Sequence, residues 1–152
     1  MNTDDNLARA YELVMRPLRA ARRLLGRATR WVAPPVVLCA EDDESLRVLY
    51  TSALDRAGFI TEVATNGREA LQKIEKYYYS AILLDLGMPY LHGSTVLALM
   101  QRKDPDLLRR LVIVTGASDA VLADVTATVS SVLRKPVRLD NLVDAVRACV
   151  ES

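Results

Sequence analysis

At 152 residues, 51% hydrophobic and 26% charged, the chain has the composition of a soluble globular protein with room for one domain and a short appendage. Its net charge of +1 hides an asymmetry: residues 1–33 carry seven arginines against Asp4, Asp5 and Glu12, so this stretch is +4 and the remainder −3. No run of about 18 uncharged apolar residues exists, which excludes a membrane-spanning helix, and residues 1–33 lack the apolar centre of a secretory signal.

Residues 6–33 have a helical pattern. Leu7, Tyr11, Val14, Leu18, Ala21, Leu25, Ala28 and Val32 recur at alternating steps of four and three, the spacing of a heptad seam, and the arginines mostly take the other face. Pro17 should kink or split this helix near Arg16. A loosely docked solvated helix, a dimerising or partner-binding helix, and an interfacial helix on anionic lipid, which Trp31 and the basic face would suit, all remain open. Nucleic acid is not expected, since the arm has neither lysine nor a DNA-binding motif. Pro34-Pro35 reads as a stiff linker before a domain over residues 36–152.

From there strand and helix patterns alternate. Val36-Val37-Leu38-Cys39-Ala40 is an apolar run ending in Glu41-Asp42-Asp43. A helix is predicted over Ser45–Ala57 with Gly58 as its stop, a strand over Phe59–Ala64, and a helix from Gly67 to Tyr78 capped by Asn66. Ser80 to Asp85 is a strand buried on both faces, broken by Gly87 and Pro89. Ser94 caps a helix through Arg102, Leu111–Thr115 is a further buried strand, and a short helix covers roughly Asp119–Thr128. Ser131–Arg134 is the last strand, followed by Lys135-Pro136 and a helix with Leu139, Leu142, Val143, Val146, Cys149 and Val150 on one face. Five strands alternating with five helices imply an α/β fold, a parallel sheet with helices on both sides. Cys39 and Cys149 both fall on apolar faces and read as reduced core residues of a cytosolic protein, not a disulfide or metal pair. At least one of Tyr77, Tyr78 and Tyr79 should pack on the sheet, the others forming a partner surface or covering the strand edge. His92 reads as an exposed loop residue.

In a parallel sheet the strands' carboxyl ends share one edge, where open α/β sheets bind ligands. Here that edge would collect Asp42-Asp43, Asp85, Thr115 and Lys135. Crowded carboxylates repel, and a hard divalent cation such as Mg²⁺ relieves the repulsion. With a lysine and a hydroxyl beside them, these parts can place a phosphoryl group on a carboxylate. Asp85 would be the nucleophile, and Mg²⁺, Lys135 and Thr115 would neutralise the developing oxygen charge. Each feature alone has a plainer reading. Asp42-Asp43-Glu44 suits a helix N-terminus, Thr115 a strand end, and Lys-Pro a loop. Their occurrence at successive strand ends is what favours chemistry.

Over residues 35–150 the sequence resembles the receiver domain of two-component response regulators. The likeness rests on Asp42-Asp43 after the first strand, on Leu-Leu-Asp85-Leu-Gly-Met-Pro followed by Gly93, on Thr115-Gly-Ala, and on Lys135-Pro136. It implies a flavodoxin-like sheet in the order 2-1-3-4-5. It also implies that Asp85 accepts a phosphoryl group from a phosphohistidine on a sensor histidine kinase or a histidine phosphotransfer protein. Asp42 and Asp43 would hold Mg²⁺ with Asp85 and the backbone carbonyl of Gly87, and Thr115 and Lys135 would contact the phosphoryl oxygens.

Three departures stand out. Three residues before the lysine, where the family usually carries an aromatic that swings inward, this chain has Val132. Before the last strand it reads Thr126-Ala127-Thr128-Val129, without the family's glycine. The positions two after Asp85 and two after Thr115, which in the family tune hydrolysis, hold the small residues Gly87 and Ala117, so a short-lived phosphoryl group is expected. The reading is a single-domain phosphoacceptor in the cytoplasm. It would signal through protein contacts, with the basic arm as a site of homodimer, partner or membrane-surface contact. A receiver-like interaction module that does not switch is the alternative, and a hydrolase with an aspartyl nucleophile a weaker third.

Overall fold

The apolar runs all become strands of one parallel sheet, in the order β2-β1-β3-β4-β5. The structure, a computed structural model, describes residues 34–89, 93–116 and 126–152. The basic stretch 1–33, His92, Ala117 and most of the helix expected over 119–128 lie outside the described residues. Pro35–Ser152 form one unit.

The three central strands are the most uniformly apolar. Every residue of β1 (Val36–Ala40), β3 (Ala81–Asp85) and β4 (Leu111–Thr115) is buried, as strands covered on both faces must be. The edge strands β2 (Ile60–Ala64) and β5 (Ser131–Arg134) are mixed in sequence and partly exposed. Between them run α1 (Glu44–Arg56), α2 (Gly67–Lys76) and α3 (Gly93–Lys103), with α4 (Leu139–Glu151) closing the chain.

Local sequence sets where these helices start and stop. Asp43 caps α1, its Oδ1 accepting the Leu46 N–H at 2.9 Å. After Ala57 the chain turns through Gly58 at φ +92, a left-handed conformation that favours glycine over any side chain. Asn66 caps α2 by accepting the Glu69 N–H at 2.9 Å, and Glu69 reaches back to the Thr65 N–H at 2.8 Å. A short 3-10 helix, Pro105–Arg110, precedes β4 and was not anticipated. Asp104 caps it and Pro105 opens it. Thr126–Thr128, the end of the helix expected over 119–128, forms a turn.

Strand alternation divides the core. Val37, Cys39, Leu83, Val112 and Val114 face Tyr50 and Leu54 of α1 and Leu142, Val146 and Cys149 of α4. The alternate residues Leu38, Ile82, Leu84 and Ile113 are equally buried and, by the period of two, point to the other face. Both cysteines are free and buried, and burial pushes the Cys39 thiol up to about 12. Tyr79 is the tyrosine that packs inside. Its hydroxyl donates to Glu62 at 2.7 Å, and the Arg110 guanidinium donates to the Tyr79 carbonyl at 2.8 Å while lying 4.4 Å from the Tyr78 ring centre.

Candidate functional site

Register decides which side chains meet at the carboxyl edge. Ala40 pairs with Leu84, so the next residue along β1, Glu41, comes level with Asp85. Asp85 pairs with Val114, and Thr115 with Arg134, which brings Lys135 to the same edge.

The Lys135 ammonium bridges two carboxylates there. Nζ donates to Glu41 Oε2 at 2.8 Å and to Asp85 Oδ2 at 2.9 Å. Both acids are buried, Glu41 at 2% and Asp85 at 5% exposure, and each has one further donor. The Asp43 N–H reaches Glu41 Oε1 at 3.2 Å, and the Gly87 N–H reaches Asp85 Oδ1 at 2.9 Å. Glu41, Asp42 and Asp85 each offer a carboxylate oxygen within 4.8 Å of the others. Thr115, 1% exposed, ends β4 on the same edge, and its carbonyl accepts the Lys135 N–H at 3.0 Å.

Burial raises the Glu41 pKa above the ordinary carboxylate value, and the Lys135 hydrogen bond only partly offsets this. For Lys135 burial works to lower the pKa, but the hydrogen bonds and charges of Glu41 and Asp85 outweigh it, and the net shift is upward. Of the three clustered carboxylates, the Lys135 ammonium bridges two, Glu41 and Asp85. The excess negative charge sits on hard oxygen donors at one point of the surface, and that donor chemistry fits a divalent cation of the Mg²⁺ type.

The structure places the expected residues unevenly. Asp42, Asp85, Thr115 and Lys135 come to one edge. Gly87 lies against Asp85, contributing its N–H, and a Cβ at that position would stand 3.4 Å from Asp85 Oδ1 and 3.5 Å from Oδ2. Asp43 is not in the carboxylate cluster, because its side chain is turned to the helix it caps. In its place stands Glu41, the acid that directly follows the first apolar run. The signal for it was in the pattern: an acid directly before an amphipathic helix is first a cap, which moves the acidic pair back by one residue.

A doubly wound parallel sheet with an acidic pocket and one lysine at its carboxyl edge defines an α/β domain of the flavodoxin-like type. Residues 37–147 match the family model described as the response regulator receiver domain. The response regulator receiver protein CpdR of Brucella abortus is 32% identical over 112 residues, spanning 72% of this chain and 92% of CpdR. The transcriptional regulatory protein PrrA of Mycobacterium leprae is 31% identical over 77% of this chain, but the match spans only 50% of PrrA's own length. Among solved structures, the receiver domain of the Francisella response regulator 1452 superposes with a TM-score of 0.70 at 26% identity, covering 77% of this chain and 97% of that domain. This chain belongs to the receiver-domain family of two-component response regulators.

Proposed function

We propose that the chain takes up a phosphoryl group on the Asp85 carboxylate from a phosphohistidine of a sensor histidine kinase or histidine phosphotransfer protein, and signals through protein contacts. The observation that carries this reading is the Lys135 ammonium bridging Glu41 and Asp85 at the carboxyl edge. An Asp85 oxygen attacks phosphorus in line with the departing imidazole nitrogen; the P–O bond forms as the P–N bond breaks, its electron pair going to the imidazole. The Gly87 N–H and Lys135 hold the carboxylate in place, one on each oxygen. Lys135 and the Thr115 hydroxyl meet the charge that develops on the transferred oxygens. Glu41, Asp42 and Asp85, with the Gly87 carbonyl, would hold Mg²⁺, which supplies further charge neutralisation when bound. Asp43 keeps its place as the helix cap.

The test is the intact mass after incubation with acetyl phosphate and Mg²⁺, repeated with a phosphohistidine donor. One added phosphoryl group is expected. No addition from either donor would leave the interaction module that does not switch. The adduct should be short-lived, because Gly87 leaves the flank of the carboxylate bare where a side chain would cover it. Persistence for many hours in Mg²⁺ buffer would contradict this.

The free, buried cysteines favour a cytoplasmic protein, and among the described residues no helix is long and apolar enough to cross a membrane. Residues 36–152 form the receiver domain, joined through Pro34-Pro35 to the basic stretch 1–33, which serves assembly or placement by dimerising, binding a partner or lying on anionic lipid. Removing residues 1–33 should leave phosphorylation by acetyl phosphate unchanged and alter oligomeric state or localisation. Loss of phosphorylation would make that stretch part of the domain.

A further inference from the structure

We propose that Arg47 is the positioning residue of the cation site: it pins the Glu41–Asp42 loop so that both carboxylates are presented to Asp85. This inference rests on the reading of that cluster as a divalent-cation site. Arg47 lies in the first turn of α1 and is half-buried. Its Nη1 donates to the Glu41 carbonyl at 2.9 Å and to the Asp42 carbonyl at 3.1 Å, and its backbone N–H donates to the Asp43 carbonyl at 2.9 Å. One residue therefore holds three successive carbonyls. The loop is also anchored by the Glu41 N–H on the Ala64 carbonyl at 3.0 Å, the Asp43 N–H on Glu41 Oε1, the Leu46 N–H on Asp43 Oδ1 and Lys135 on Glu41 Oε2.

Peptide groups are planar, so fixing a carbonyl fixes the plane. The planes on both sides of Asp42 are held by the same guanidinium nitrogen, and this sets the direction of its Cα–Cβ bond. Asp42 is exposed and has no core packing to do that work, whereas Glu41 is buried. The donor contacts of the guanidinium go to carbonyl oxygens, not to the carboxylate oxygens of the cluster. A guanidinium suits the task because it stays charged and rigid at any working pH.

Positioning and simple charge predict opposite signs. Removing a positive group beside three carboxylates would, by Coulomb attraction alone, tighten cation binding. Losing a group that orients the ligands weakens it, typically 10- to 100-fold. The experiment is a calorimetric Mg²⁺ titration of the full chain and of Arg47→Met and Arg47→Lys, with the thermal midpoint of each measured without Mg²⁺. Arg47→Met should bind Mg²⁺ about 10-fold or more weakly. Arg47→Lys, whose ammonium keeps the charge but lacks the guanidinium fork, should fall between it and the wild type. Phosphorylation by acetyl phosphate should return to the wild-type rate at saturating Mg²⁺, since the loss lies in affinity. Equal or tighter Mg²⁺ binding by Arg47→Met overturns the proposal. If Arg47→Met does not fold, Arg47→Lys decides alone: weaker binding than the wild type supports the role, and unchanged binding overturns it. A wild-type chain that binds no Mg²⁺ overturns the cation reading itself, and this inference with it.

Discussion

Asp85→Asn is expected to leave the domain folded and unable to take up a phosphoryl group from acetyl phosphate or from a phosphohistidine. The amide matches the carboxylate in size, so the buried position at the end of β3 is still filled. Its carbonyl oxygen can still accept the Gly87 N–H, while the amide nitrogen replaces the oxygen that Lys135 contacts, leaving Lys135 paired with Glu41. What the amide lacks is an anionic oxygen to attack phosphorus. Removing one of three crowded carboxylates also relieves repulsion, so the thermal midpoint should hold or rise. Intact mass after exposure to donor and Mg²⁺ reads the first expectation, and thermal unfolding reads the second. A phosphoryl group appearing on the variant would move the nucleophile to another member of the cluster, Asp42 or Glu41.

Lys135→Met has its largest effect on stability. The substitution keeps the length of the side chain and removes the charge that Glu41 and Asp85 share. Taking away one partner of a buried ion pair commonly costs 3–5 kcal/mol, because the other charge is left uncompensated. Here the loss should sit near the low end, about 3 kcal/mol, since the Lys135 side chain keeps 23% exposure to water. Denaturant unfolding in EDTA measures it. Mg²⁺ at 100 times its Kd should then return about 2.7 kcal/mol to the variant by mass action. The pH range follows from the sign of the shift. The Lys135 pKa is raised on folding, so the ammonium's contribution is complete below the ordinary lysine value of about 10.4 and is lost only as pH climbs beyond it. A variant as stable as the wild type without metal would mean that water already screens the bridge. Phosphorylation should slow as well, since an ammonium that would contact the transferred oxygens is gone.

Much of this site was legible because strand ends are legible. Asp85 and Thr115 each end an apolar run, Lys135 follows the last strand, and a parallel sheet brings such ends to one edge whatever the loops between them do. The cap at Asn66 and the stop at Gly58 could be read for the same local reason. The acidic pair was harder. Glu41, Asp42 and Asp43 are adjacent acids; the cap preference of an acid before a helix only hints at their division, and the register of β1 against β3 settles which of them comes level with Asp85. Register is a long-range property, and the β1 sequence alone does not contain it. The role of Arg47 was invisible for a related reason: it acts on backbone carbonyls, and those carry no residue identity. The 3-10 helix carried its Asp-Pro start signal but no apolar period by which to read a helix.

The bridge across the carboxyl edge joins residues 94 positions apart in the chain. Glu41, Asp42 and Asp85 all precede Lys135, so a chain emerging from the ribosome holds its acids before it holds their countercharge. Closing a loop of that length carries an entropic cost, and β5 adds only four residues at the edge of the sheet to offset it. The attraction of the waiting carboxylates for the incoming ammonium therefore helps bring the last strand home. On the proposed reading, the site would become competent for phosphorylation only when that step is complete. A chain interrupted before β5 would carry the nucleophile but not the means to use it, which ties the ability to receive a signal to the completion of folding.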